Sequence, residues 1–169
     1  LLKKLFSLEK QSLEALSQIK KELPQLPKSL DLPRNSLGNQ LALALQLVGS
    51  PNPPPFIQIE HSGYDTHINQ EGRQGHLLRQ LATSLVAFHT GLKAFPSRSA
   101  VTILITSEFG RRLAQNGSGG TDHGSASTSI LIGDQLSHSV FGKYPSLNNL
   151  DERGDLISNL APPELYQIA

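Results

Sequence analysis

The sequence predicts an α/β protein with a mainly parallel sheet flanked by helices, and three observations lead there. Long segments carry apolar residues at helical spacing. Short β-prone runs alternate with the clearest of those helices. The runs also end in, or are entered from, clusters of Asp, Glu and His. Strand, helix, strand is the rhythm of a βαβ unit, and such units build parallel sheets.

The first element is an amphipathic helix over residues 2–23, where Leu2, Leu5, Phe6, Leu13, Leu16, Ile19 and Leu23 fall near helical spacing among Lys and Glu. Pro24 and Pro27 end it, and the stretch to Arg34 reads as a tether. Ser36 is the expected N-cap of a second helix that buries Leu37, Leu41, Leu45 and Val48 and stops at Gly49. Pro51 to Pro55 is a turn. Residues 1–55 are thus expected to pack as a helical segment on an α/β portion at 56–169, forming one domain overall.

Phe56-Ile57-Gln58-Ile59 is a short β-prone run leading into His61-Ser62-Gly63-Tyr64-Asp65-Thr66-His67. A long helix is expected over about 74–95, with Leu78, Leu81, Leu85, Phe88, Leu92 and Phe95 as its stripe and Pro96 as its stop. Val101 to Ile105 is a nearly continuous apolar run of the kind buried on both faces of a parallel sheet. It ends in Ser107-Glu108-Phe109-Gly110-Arg111; a Gly-rich loop from Asn116 to Gly124 follows, then the run Ser129 to Ile132. From Phe141 the chain is expected to be loop, with a short helix over 163–168.

Composition narrows the function classes. With 37% apolar and 17% charged residues, the chain has the make-up of a folded domain. A net charge of +1 without a basic block argues against nucleic acid, which requires a clustered cationic surface. No apolar run approaches the roughly 20 residues a membrane-spanning helix needs. The absence of cysteine excludes disulfides and thiolate ligands, so any metal must be held by His, Asp and Glu. The chain begins with Leu1 and carries no secretory signal pattern, so it is expected to be the C-terminal portion of a larger domain.

In open α/β sheets ligands bind beyond the carboxyl ends of the strands. On that rule Asp65 and His67, Glu108, and Asp122 with His123 are brought to one crevice by neighbouring loops. Carboxylates mixed with imidazoles suit Zn²⁺, Mn²⁺, Fe or a similar borderline cation, whereas an all-oxygen set would favour Mg²⁺ or Ca²⁺; zinc is expected first, with manganese or calcium as the other cations. Asp65 and His67 alternate in an extended chain, so both reach one cation only if a turn intervenes, and Gly63 supplies the means. Glycines 117, 119, 120 and 124 would let the backbone approach a ligand, and Arg111 and Arg112 could fork onto an anion. Each motif alone also has an ordinary reading. Asp-x-His is common in polar turns. Glu108 could cap a helix from Phe109 or pair with Arg111, and Asp122-His123 could be a Gly-rich turn. Three of the six histidines nevertheless sit beside strand ends, whereas scattered histidines would not. His89 is expected to be solvated, and His76 exposed or behind a ligand.

Three motifs together, Gly63-Tyr64-Asp65-Thr66-His67, Ser107-Glu108-Phe109-Gly110-Arg111 and Asn116-Gly117-Ser118-Gly119-Gly120-Thr121-Asp122-His123-Gly124, resemble successive signatures of bacterial domain-of-unknown-function family 1501. The resemblance runs from about Phe56 to about Asp155, with Tyr64 where Trp is more usual. That family is similar to the alkaline phosphatase and sulfatase superfamily. The resemblance implies an alkaline-phosphatase-like fold, twin-arginine export to the periplasm or outside, and a metal-dependent hydrolase of phosphate or sulfate esters. Its substrate would be a small or polymeric anionic ester. Asp65, His67, Glu108 and His123 would be ligands, Asp122 a ligand or the group orienting His123, and Arg111 the oxyanion binder. Glu108-Phe109 stands where an Asp-His pair is expected, which puts a second metal in doubt. The superfamily's nucleophile would lie upstream of this chain. The alternative is a non-catalytic exported protein that binds a polymer or a partner.

Overall fold

The computed structural model describes residues 2–95, 101–136, 140, 142–158, 160 and 164. Its elements are three helices, α1 (Leu2–Glu22), α2 (Ser36–Val48) and α3 (Gln70–Leu92), and four short strands, β1 (Ile103–Ile105), β2 (Gly110–Arg111), β3 (His123–Gly124) and β4 (Ile130–Ile132). The chain divides into two compact units, one of residues 1–61 and 81–98, the other of residues 62–80 and 99–169.

The first unit is helical. The N-cap of α2 is Asn35, one residue before the expected Ser36; its side chain accepts the Gly38 N–H at 2.8 Å. At the other end the Gly49 N–H donates to the Leu45 carbonyl, where the helix was expected to stop. The helical spacing expected of this segment puts Leu37, Leu41, Leu45 and Val48 on its buried face. Phe88 and Leu92 of α3 are buried in the same unit. A methyl group on Gly91 would lie 2.6 Å from the Leu45 side chain, so glycine is what allows that approach. Beyond Leu92 the chain tightens through Phe95 by bonds to carbonyls three residues back. On α1 the described large apolar side chains Phe6, Leu8, Leu13, Leu16 and Ile19 are exposed.

The second unit corrects the expected fold. Neither a mainly parallel sheet flanked by helices nor an alkaline-phosphatase-like architecture built on one is found among the described residues. There are instead two antiparallel pairs, β1 with β4 (Ile103 opposite Ile132) and β2 with β3 (Arg111 opposite His123). Two physical reasons account for the difference. A parallel pair needs a long crossover, usually a helix, but residues 106–129 turn back through the β2–β3 hairpin, so β4 returns beside β1 in the opposite direction. The expected strand at 56–59 also does not form. It follows Pro53, Pro54 and Pro55, which have no N–H to donate, and the Gln40 side-chain amide engages Glu60: Nε2 donates to the carbonyl at 3.0 Å and Oε1 accepts the N–H at 3.2 Å. With no strand before α3, no βαβ unit is found among the described residues. Apart from Glu164, the short helix expected over 163–168 lies outside the described residues, as do Pro96 and His138.

Where helices cannot set the second unit, polar side chains do. Among the described residues its fully or nearly fully buried side chains are Thr66 and Asp155. Asp155 pairs with Arg112 Nε at 3.0 Å and accepts the Leu113 N–H at 3.2 Å, which ties the 151–155 turn to the segment that follows β2. The first turn of α3 begins at Gln70 rather than 74 because the Gly-rich loop supplies acceptors: the Asn69 and Gln70 N–H groups donate to Ser118 and Gly119 carbonyls at 3.1 and 3.0 Å.

Candidate metal centre

Asp65 sits at the apex of a three-residue turn. The Thr66 N–H donates back to the Tyr64 carbonyl at 2.8 Å, with Gly63 in the left-handed region at φ +100° just before it. That turn breaks the strand-like alternation, and so Asp65 and His67 point to the same place. Arg111 holds the turn from outside. Its Nη2 donates to the Tyr64 carbonyl at 2.6 Å and to Thr66 Oγ1 at 3.3 Å, and its Nη1 donates to the Thr121 carbonyl. Because β2 pairs with β3, the same arginine stands opposite His123 and ties the second ligand-bearing segment to the first.

Three donor atoms converge. Asp65 Oδ1 lies 2.8 Å from His123 Nε2 and 2.9 Å from His67 Nε2, and the two imidazole nitrogens are 3.2 Å apart. On the far side of His67, Nδ1 lies 3.1 Å from Asp122 Oδ1. The His123 ring is stacked on Phe109, with centroids 3.8 Å apart and planes 12° from parallel, and the Arg111 guanidinium lies 5.1 Å from the same Phe109 ring. Asp65, His67 and His123 all remain partly open to solvent.

Electrostatics follow from these contacts. The hydrogen bond from His123 holds the Asp65 carboxyl below its usual range, with the charges of His67, His123 and Arg111 adding to the effect. Asp122 is likewise lowered, first by the hydrogen bond from Asn116 and then by that from His67. Both are therefore anions at neutral pH.

The donor set fits a divalent cation, and the proton positions sharpen the fit. An ionised Asp122 only accepts, so His67 must carry a proton on Nδ1. His67 Nε2 faces the Asp65 oxygen at 2.9 Å, an ion pair when the ring carries both protons and a lone pair set against a carboxylate when it carries only the Nδ1 proton. In the second case lone pair and carboxylate repel, and a cation between them turns the contact into attraction. Ligand bonds of roughly 2.0–2.1 Å in a tetrahedral site put donor atoms about 3.3 Å apart, close to the spacing seen here. Carboxylate, histidine and metal in series is also the usual way a ligating imidazole is oriented.

The expected site residues are thus brought together in part. Asp65, His67 and His123 form the converging group, and Asp122 stands behind His67, whereas sequence reasoning had placed it as a ligand or behind His123. Glu108 is exposed and is not in the group found among the described residues. The terminal nitrogens of Arg111 engage loop oxygens, and Arg112 engages Asp155 and the Arg153 carbonyl. Gly120 does allow a close approach, but to the His67 backbone: a methyl there would lie 2.3 Å from the His67 carbonyl. His89 is exposed, and exposed His76 pairs with Gln80 on its own helix. Two contributors escaped sequence reasoning, the Phe109 ring as a stacking surface and Asn116. The Asn before a run of glycines was the available signal, since its side chain caps local turns.

The family model described as "Protein of unknown function (DUF1501)" matches residues 2–155, a span that takes in the helical first third as well as all three motifs. Comparisons with curated proteins and with solved structures find no match.

Proposed function

The chain belongs to the DUF1501 family, and we propose that in it Asp65, His67 and His123 bind one divalent cation, zinc first, as the centre of a hydrolase of phosphate or sulfate esters. The observation that carries this is the convergence of Asp65 Oδ1, His67 Nε2 and His123 Nε2, no two of them more than 3.2 Å apart. A cation held there would polarise an ester oxygen as a Lewis acid. Three protein ligands on a partly exposed surface leave a fourth position for substrate, the pattern of catalytic rather than structural zinc sites. Asp122 orients His67, Phe109 sets the plane of His123, and Arg111 fixes the spacing of the two segments while its charge, felt at Asp65, favours an anionic ester. Export by the twin-arginine route belongs to the same proposal and rests on the three motifs. Manganese and calcium are the cations to test beside zinc.

A second reading, a non-catalytic exported binding module that keeps the cation, is favoured by Phe109. Its ring occupies the place where the superfamily resemblance expects a second metal ligand, and Glu108 does not join the group. One experiment bears on both. Elemental analysis of the purified protein is expected to give near-stoichiometric metal that an Asp65→Ala/His123→Ala double variant has lost. Turnover of phosphate or sulfate esters by the loaded protein would then select the hydrolase, and its absence the binding module. Failure of the native protein to hold Zn²⁺, Mn²⁺ or Ca²⁺ overturns the cation in both readings.

A further inference from the structure

We propose that Asn116 is a positioning residue of this centre: its side-chain amide locks the Asp122 carboxylate to the His67 backbone, so that the neutral His67 ring keeps its proton on Nδ1 and leaves Nε2 as the lone pair. The inference rests on the metal reading only for what Nε2 is used for; the geometry stands by itself.

A side-chain amide has two acceptor and two donor positions, and Asn116 has a matched partner at each. Oδ1 accepts the Ser118 N–H at 2.9 Å and the Gly120 N–H at 3.0 Å, which folds the Gly-rich turn. Nδ2 donates to the His67 carbonyl at 3.0 Å and to Asp122 Oδ1 at 3.3 Å. The last oxygen is the one that faces His67 Nδ1 at 3.1 Å. One side chain therefore holds the backbone of the imidazole, the carboxylate that orients it, and the turn that carries the carboxylate. No near relative does all three. Aspartate keeps the two acceptors but points an oxygen at two oxygens. Glutamine is longer by a methylene, and leucine offers neither donor nor acceptor.

The lock matters because the Asp122 side chain is about half exposed, at 53%, so water competes for its oxygens. Histidine in water prefers the proton on Nε2, the tautomer that cannot ligate through that atom. An acceptor held in line with Nδ1, here the Asp122 carboxylate, reverses the preference, and partners of this kind typically change metal affinity by roughly 10–100-fold.

The test reads the His67 tautomer by nitrogen NMR of the whole chain, metal-free, labelled with ¹⁵N-histidine, beside a Zn²⁺ titration. At a pH where the ring is neutral, the native chain is expected to show Nδ1–H at His67. Asn116→Ala should shift the ring toward Nε2–H and weaken Zn²⁺ binding by roughly 10–100-fold. If Asn116→Ala loses the turn and does not fold, Asn116→Asp retains both turn acceptors, removes only the donor and sets an anion against Asp122. The same tautomer shift is expected in it. A His67 that stays Nδ1–H in the folded variants overturns the positioning role, even if the native chain binds Zn²⁺. A native chain with Nδ1–H and the expected shift, but no Zn²⁺ uptake, overturns the metal reading and leaves the positioning role in place.

Discussion

Among the described residues of the helical unit the buried side chains are apolar apart from Ser84: Leu37, Leu41, Ala44, Leu45 and Val48 from α2, and Phe88 and Leu92 from α3. In the other unit the most buried side chains are Thr66 and Asp155. The first is held by burial, which is non-directional and scales with area. The second is held by polar clamps, Arg111 across Tyr64, Thr66 and Thr121, Asn116 across His67, Asp122 and its own turn, and Arg112 with Asp155. Short strands of two or three residues cannot hold long loops by ladder bonds alone, so side-chain hydrogen bonds replace them. Such bonds are directional, and they fix donor atoms to a few tenths of an ångström where apolar packing would only fix a face. A cation site needs that accuracy, and it lies wholly in the polar unit.

The comparison is broken most forcefully in the apolar unit. Leu45 is fully buried, and Leu45→Ala removes its methyl groups and leaves a cavity, for an expected loss of about 2–5 kcal/mol in chemical denaturation. The His67 and His123 ring signals of the folded variant are expected to match those of the native chain. A loss under about 1 kcal/mol, in the range of surface substitutions, would mean that α2 does not anchor its unit by burial.

This contrast also explains what could be read from the sequence. The helices were legible because helical spacing of Leu37, Leu41, Leu45 and Val48 states which face is buried whatever it packs against. Asp65, His67 and His123 were legible as residue types gathered around glycines and short apolar runs, and the need for a turn at Asp65 was visible from strand alternation. Sheet direction was not. An apolar run such as Ile103–Ile105 looks the same with a parallel or an antiparallel partner, and its pairing with Ile130–Ile132 depends on how residues 106–129 return. The strand expected at Phe56 failed for a reason equally remote, a glutamine 20 residues earlier that engages Glu60. Asn116 escaped for the same cause: its partners His67 and Asp122 lie 49 and 6 residues away. Periodicity encodes faces, and polar clamps leave no period.

Arg111→Lys tests the polar unit with a smaller stability effect and a larger functional one. An ammonium keeps the charge but cannot span the Tyr64 and Thr121 carbonyls as a planar fork does. Leaving one of these part-buried acceptors unpaired is expected to cost about 1–3 kcal/mol. Because the clamp joins the Asp65 turn to the strand carrying His123, Zn²⁺ affinity should fall by roughly tenfold or more. If stability falls while affinity holds, the clamp serves the fold alone, and the ligands are spaced by other contacts.

The mildest expected effect concerns acid. Asp151 Oδ1 accepts the Arg153 N–H at 2.8 Å and the Asp155 N–H at 2.9 Å, closing the turn whose Asp155 pairs with Arg112. The hydrogen bond from the Asp155 backbone, then that from Arg153, with the charges of Arg153 and Arg112, holds the Asp151 carboxyl below its ordinary 3.8. A carboxyl lowered in the folded state binds its proton more weakly there than in the unfolded chain. Its contribution to stability is therefore fully present above the unfolded value and is lost as pH falls through the folded one. NMR titration should place the Asp151 midpoint below 3.8, with the Arg153 and Asp155 amide signals moving at the same midpoint. Asp151→Asn keeps an oxygen in the same position and removes the charge, so the turn should persist and those amides should lose that transition. A midpoint at or above 3.8 would mean that the turn is held by its backbone bonds alone, and one polar clamp would leave the comparison.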